Sequence, residues 1–81
     1  MKCKVLFFAA AADAIGSREI ELIAPVNISV GEAFELLESK HSGLSDLRGI
    51  CAFAIDQKIC STETLLTDGC TLALLPPVSG G

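Results

Sequence analysis

Few residues in this 81-residue chain could do chemistry, and they fall into three sets: the Gly80-Gly81 ending with its carboxylate, four cysteines and a single histidine. The ending Pro76-Pro77-Val78-Ser79-Gly80-Gly81 is stiff and then permissive, because proline fixes φ and glycine carries no Cβ. It reads as a thin, side-chain-poor tail leaving the folded body, with the Gly81 carboxylate as its exposed group. A carboxylate resists nucleophiles until one oxygen becomes part of a leaving group, as in an acyl phosphate. Any chemistry at this terminus would have to begin with such an activation. The ordinary alternative is a frayed end, since termini are usually loose. Two final glycines also arise by chance in roughly one chain in two hundred, so Gly-Gly alone decides nothing.

The side chains offer less. Cys3, Cys51, Cys60 and Cys70 form no C-x-x-C pair, and His41 is the sole imidazole that could join them, so no zinc site is expected and no metal is assigned. Without a secretory leader to argue for disulfides, the cysteines read as reduced thiols buried as small hydrophobes. His41 has no evident catalytic partner.

Composition narrows the setting. A net charge of −4, with only six Lys and Arg and those scattered, excludes the clustered basic surface that nucleic acid demands. No apolar run approaches the roughly 18 residues of a membrane span. Met1-Lys2 followed by Cys3 to Ala9 reads as a strand rather than a leader, and the expected setting is cytoplasmic. Hydrophobic residues make up 51% of the chain with neither Trp nor Tyr, so small aliphatics must build the core and any surplus apolar surface has a use in binding.

The elements that must hold the ending follow from periodicity. Residues 3 to 9 alternate as a strand, with Lys2, Lys4, Leu6 and Phe8 on a wet face and Cys3, Val5, Phe7 and Ala9 on the other. Ala10 to Ile15 makes a short helical turn capped by Gly16, and Glu19 to Ile23 forms a second strand halted by Ala24-Pro25. Ser29-x-x-Glu32 has the form of a capping box, and Val30, Ala33, Phe34, Leu37 and His41 recur at helical spacing until Gly43 closes the helix. Residues 44 to 49 connect to a third strand, Ile50 to Ile55. Asp56-Gln57 turns into the short strand Lys58-Ile59-Cys60, and Thr67-Asp68-Gly69 turns into the last strand, Cys70 to Leu75. There Thr71, Ala73 and Leu75 share one face, so Leu75 joins Leu6 and Phe8 outside if the first and last strands are neighbours. The order predicts an α+β fold, a ubiquitin-like β-grasp with a mixed sheet covered by one main helix over residues 1–75, and a flexible tail over 76–81.

Lys4-Val5-Leu6-Phe7-Phe8-Ala9, Leu66-Thr67-Asp68-Gly69 and Ala73-Leu74-Leu75-Pro76-Pro77-Val78-Ser79-Gly80-Gly81 together resemble the MoaD family, the small subunits of molybdopterin synthase, related to ThiS. The likeness spans nearly the whole chain, and His41 to Arg48 looks like the family's eukaryotic branch. Two places depart from the family pattern: Ala12-Asp13 stand where it commonly has Arg-Glu, and Cys70-Thr71 where it has an acidic pair. The resemblance implies a sulfur carrier. A ubiquitin-activating-type enzyme uses ATP to adenylate Gly81, and sulfur replaces AMP to give a thiocarboxylate. A MoaE-like large subunit, in a heterotetramer of two small and two large chains, accepts Pro76, Pro77, Val78, Ser79 and Gly80 in its channel. The sulfur passes to cyclic pyranopterin monophosphate. On this likeness the docking positions are Phe8, Ile59 and Leu75, to which the strand alternation adds Leu6; the small chain holds no permanent cofactor, and it works as a sulfurtransferase only with its large subunit. A ThiS-like carrier for thiazole synthesis and a ubiquitin-related protein modifier are the other readings.

Overall fold

The alternation that separates wet from apolar positions also decides how the strands stack. The computed structural model describes residues 1–77 and builds five strands into one sheet: β1 (Lys2–Phe7), β2 (Glu19–Ile23), β3 (Ala52–Ile55), β4 (Lys58–Cys60) and β5 (Thr71–Leu75). Their order is β2-β1-β5-β3-β4, with β1 and β5 parallel and every other pairing antiparallel. The first and last strands are therefore neighbours at the centre of a mixed sheet. This is the β-grasp arrangement expected from the element order.

One face of this sheet is covered by α2 (Val30–Lys40). Its stripe of Val30, Ala33, Phe34 and Leu37 shares a single core cluster with Val5, Phe7, Leu72, Leu74 and Phe53. Phe34 and Phe53 meet edge to face, with ring centroids 5.8 Å apart. The helix starts where the capping box requires: Ser29 Oγ accepts from the Glu32 amide at 3.1 Å, and Glu32 Oε1 accepts from the Ser29 amide at 3.0 Å. At the surface Arg48 reaches back to Glu38, with its Nε donating to Oε2 at 3.2 Å, and this pair holds the Glu38 carboxyl below its ordinary range.

Several boundaries differ from those read in the sequence, each for a local reason. Ala9 does not end β1 but opens a short helix, α1 (Ala9–Ile15), at φ 50°; Phe8 before it stays extended. Gly16 at φ 80° caps α1 in the left-handed conformation, as expected. Gly43 does not close α2. That helix ends on His41, whose amide donates to Leu37 at 2.9 Å, and Gly43 lies in a following 3₁₀ helix, Ser42–Leu47. A Cβ at Gly43 would come within 3.3 Å of the Ala14 side chain, so glycine there permits close approach to α1 rather than a helix stop. His41 is half-buried at the cap, not a core member of the stripe. Ile50 and Cys51 precede β3 in a turn, and Cys70 belongs to the turn before β5, its amide bonded to Thr67 at 3.1 Å. Only Cys3 and Cys70 are the fully buried thiols expected; Cys51 and Cys60 are half-buried. Pro76 is buried and Pro77 exposed.

Candidate functional site: the uncovered face of the sheet

The face opposite α2 is assembled rung by rung. In register, Glu19 stands beside Leu6, Leu6 beside Ala73, Ala73 beside Ala54 and Ala54 beside Ile59, so one row crosses all five strands. The alanines at its middle leave a trough. Leu6, Phe8, Ile59 and Leu75 stand around it, with Thr71, Asp56 and Gln57 at one end, and the groove encloses about 540 Å³. Phe8 is 47% exposed and Ile59 72% exposed, which excludes a core role for either. Leu6 and Leu75 are half-buried walls. Nothing in the described chain lies over them.

The rim is fixed by the β3–β4 hairpin. Both residues of its turn lie at positive φ, Asp56 at 49° and Gln57 at 72°, as a two-residue turn matched to sheet twist requires. Aspartate tolerates that conformation, and it repays by clamping β5. Its amide donates to Thr71 O at 2.9 Å, and its Oδ1 accepts from the Thr71 amide at 3.0 Å. The start of the tail-bearing strand is thus tied to the hairpin that carries Ile59.

The other end of the same face is polar. Lys4 pairs in register with Glu21, and Lys2 precedes it on the same side, so charge replaces apolar area within two rungs of Leu6. Ala12 and Asp13, where the chain departs from the pattern it resembles, line a second depression of about 610 Å³ that shares Phe8 with the groove and includes Arg18 and Glu19. Cys70, at the other departure, is buried, while its neighbour Thr71 lines the groove.

The described lining of the groove carries no reactive set. Among the described residues, Asp56 is the one ionisable side chain lining the groove, with no imidazole or thiol beside it to form an acid–base or nucleophilic set. The cysteines do not compensate. Burial pushes the Cys3 thiol up to about 11 and raises Cys51 and Cys60 as well, so these three are poor thiolates at neutral pH. Among the described residues no three His, Cys, Asp or Glu side chains gather in a way that would hold a metal, and no helix is long and apolar enough to cross a membrane.

The fold is thus a β-grasp with an open apolar groove on β5, the strand that precedes Gly80-Gly81 in sequence. Residues 5–81 match the ThiS family. The chain belongs to that family. Within it, the chain is 32% identical to the human molybdopterin synthase sulfur carrier subunit, over 96% of this chain and 92% of that one. Among solved structures of this fold, SAMP1, small archaeal modifier protein 1, from Haloferax volcanii superposes with a TM-score of 0.89 at 26% identity, each chain covered in full. A complex of subunits 1 and 2 of the molybdopterin-converting factor from Helicobacter pylori contains a chain with 29% identity and a TM-score of 0.69, again with full coverage of both.

Of the residues read as functional, the structure gathers Leu6, Phe8, Ile59 and Leu75 around one groove, and it seats Pro76 in the body. Val78, Ser79, Gly80 and Gly81 lie outside the described residues. Sequence reasoning missed the floor, Ala54 and Ala73, and the rim, Asp56 and Gln57. The signal for the floor was present in Ala52-Phe53-Ala54-Ile55, where every second residue is small, but only the cross-strand register shows that those small residues face the groove.

Proposed function

We propose that this chain is the sulfur carrier subunit of a molybdopterin synthase. The observation that carries the reading is the placement of the open groove on β5, the strand that leads directly to the Gly-Gly ending. A partner that seats on Leu6, Phe8, Ile59 and Leu75 receives the tail at a fixed distance and direction. That converts a bimolecular search for the tail into delivery from a docked base. The whole-chain likeness to the human carrier subunit supports the same assignment.

On this reading the chain supplies a terminus and a docking face, and catalytic side chains come from its partners. An adenylating enzyme attacks ATP with the Gly81 carboxylate, expelling pyrophosphate, and a sulfur donor then displaces AMP to leave a thiocarboxylate. Pro76 and Pro77 limit the freedom lost when the tail is ordered, and Gly80 and Gly81 admit it to a narrow channel. A MoaE-like large subunit receives it and passes the sulfur to cyclic pyranopterin monophosphate.

The test is direct. Incubated with an activating enzyme of this type, ATP and a sulfur donor, the intact chain should gain the mass of one oxygen-to-sulfur exchange, and the chain lacking Gly81 should gain nothing. Label on a cysteine, or no change in the full chain, overturns the carrier mechanism. A stoichiometric mixture with a MoaE-like subunit should co-elute in size-exclusion chromatography; separate elution overturns the synthase assignment. One observation favours a second reading: the likeness to SAMP1 at a TM-score of 0.89 fits a protein modifier. Transfer of the activated tail to lysines of other proteins, with no complex with the large subunit, would be its signature.

A further inference from the structure

Two cysteines that the carrier reading leaves unused meet in the core. The parallel register sets Lys4 against Thr71, which places Cys3 and Cys70 opposite each other one rung earlier. Their Sγ atoms are 3.3 Å apart, and Cys3 Sγ also donates to Thr67 O at 3.5 Å. Opposed positions on adjacent strands hold Cα atoms about 5 Å apart, inside the range a disulfide spans. The sulfurs therefore need to close by little more than about 1 Å to reach bonding distance, without moving either strand far.

We propose that Cys3 and Cys70 are a modification site, a reversible intramolecular disulfide that joins β1 to the turn from which β5 starts. With hydrogen peroxide as oxidant, one thiolate attacks the O–O bond, forming a sulfenic acid and releasing water. The second sulfur then attacks the sulfenic sulfur and expels the oxygen as a second water. Two S–H bonds and one O–O bond are lost, one S–S bond and two O–H bonds form, and the peroxide takes the two electrons the sulfurs give up. A dithiol such as dithiothreitol reverses the change by thiol–disulfide exchange.

The consequence follows from chain topology. The bond would close a loop across a sequence separation of 67, nearly the whole domain. Disulfides restrain the unfolded chain more strongly as the loop grows, so the oxidised protein should melt higher by more than about 10 °C. Both thiols are only 2–3% exposed, so the closed fold admits oxidant poorly. Burial also raises the Cys3 thiol to about 11, which makes it slow to react. Oxidation should then wait on local opening at the N-terminal end of β1, and its rate should level off as peroxide is raised.

The full chain carrying Cys51→Ser and Cys60→Ser isolates the pair, since those two sites are half-buried and pack against the edge of the core rather than within it. After peroxide treatment and alkylation in denaturant, the expected result is a mass loss of two hydrogens, no alkylated thiol, a Cys3–Cys70 cross-linked peptide, and a melting temperature that falls back on adding dithiothreitol. The unsubstituted chain should give the same cross-linked peptide. Thiols that remain alkylatable under conditions that oxidise free dithiothreitol, linkage only between molecules or through Cys51 or Cys60, or a lower melting temperature after oxidation would each overturn the proposal.

Discussion

On the inner side of β1 and β5, Val5, Phe7, Leu72 and Leu74 are sealed beneath Phe34 and Leu37 of α2, whereas on the outer side Leu6, Phe8, Ala73 and Leu75 border an open groove. The same two strands thus carry two apolar faces built by one alternation. The inner face already has its partner within the chain, and what separates the two is the helix laid across one of them. Apolar residues at alternating positions specify that something will cover a face. They do not specify whether the cover comes from this chain or from another.

Two substitutions on opposite faces put that contrast to its hardest test. Leu72→Ala removes a fully buried side chain and should cost about 3 kcal/mol, lowering the melting temperature by more than about 10 °C in a circular dichroism melt. Ile59→Asp changes a side chain that is 72% exposed, so it should leave stability within about 0.5 kcal/mol while weakening binding to a MoaE-like subunit by about tenfold or more in a titration. A destabilised Ile59→Asp, or unchanged binding, would erase the distinction between the faces.

The next largest effect concerns the cover. Ser29→Ala breaks the capping box at the start of α2 and should cost about 1 kcal/mol, read as a fall of about 4–8 °C. Loss of the inner seal without loss of large-subunit binding would show that the two faces are energetically separate. The smallest effect lies at the helix surface. Arg48 holds the Glu38 carboxyl below its ordinary value of 4.5, so the pair's contribution is complete above that pH and is lost as pH falls through the depressed value. Arg48→Met should lose the pair's small contribution at neutral pH, so that variant and parent converge as pH falls through the acid range, and thermal melts from neutral pH into acid check it. The effect is small because both groups meet solvent.

Much of this architecture could be read from residue order. The alternation in Lys2 to Phe8, the Ser29–Glu32 capping box and the turn at Thr67-Asp68-Gly69 each act through neighbours in sequence, and the elements they predict are present. What escaped reading depends on distant neighbours. Gly43 resembles a helix stop until Ala14 is seen to crowd it. Ala9 continues a strand pattern until the chain must turn into α1. The groove behaves likewise: Leu6, Phe8 and Leu75 could be placed on one face, but the shallow floor at Ala54 and Ala73 exists only because β3 and β5 pair in one register. Cys3 and Cys70 could be read as buried, and their mutual contact again waited on strand pairing.

The central position of β5 has a mechanical side. It is hydrogen-bonded along its length to β1 on one side and β3 on the other, and it is also the strand that leads to the chain's end. A force applied to the C-terminal end of β5 along the strand axis loads its cross-strand bonds in shear, all at once, rather than peeling them singly. The terminus can therefore be pulled while its anchor holds.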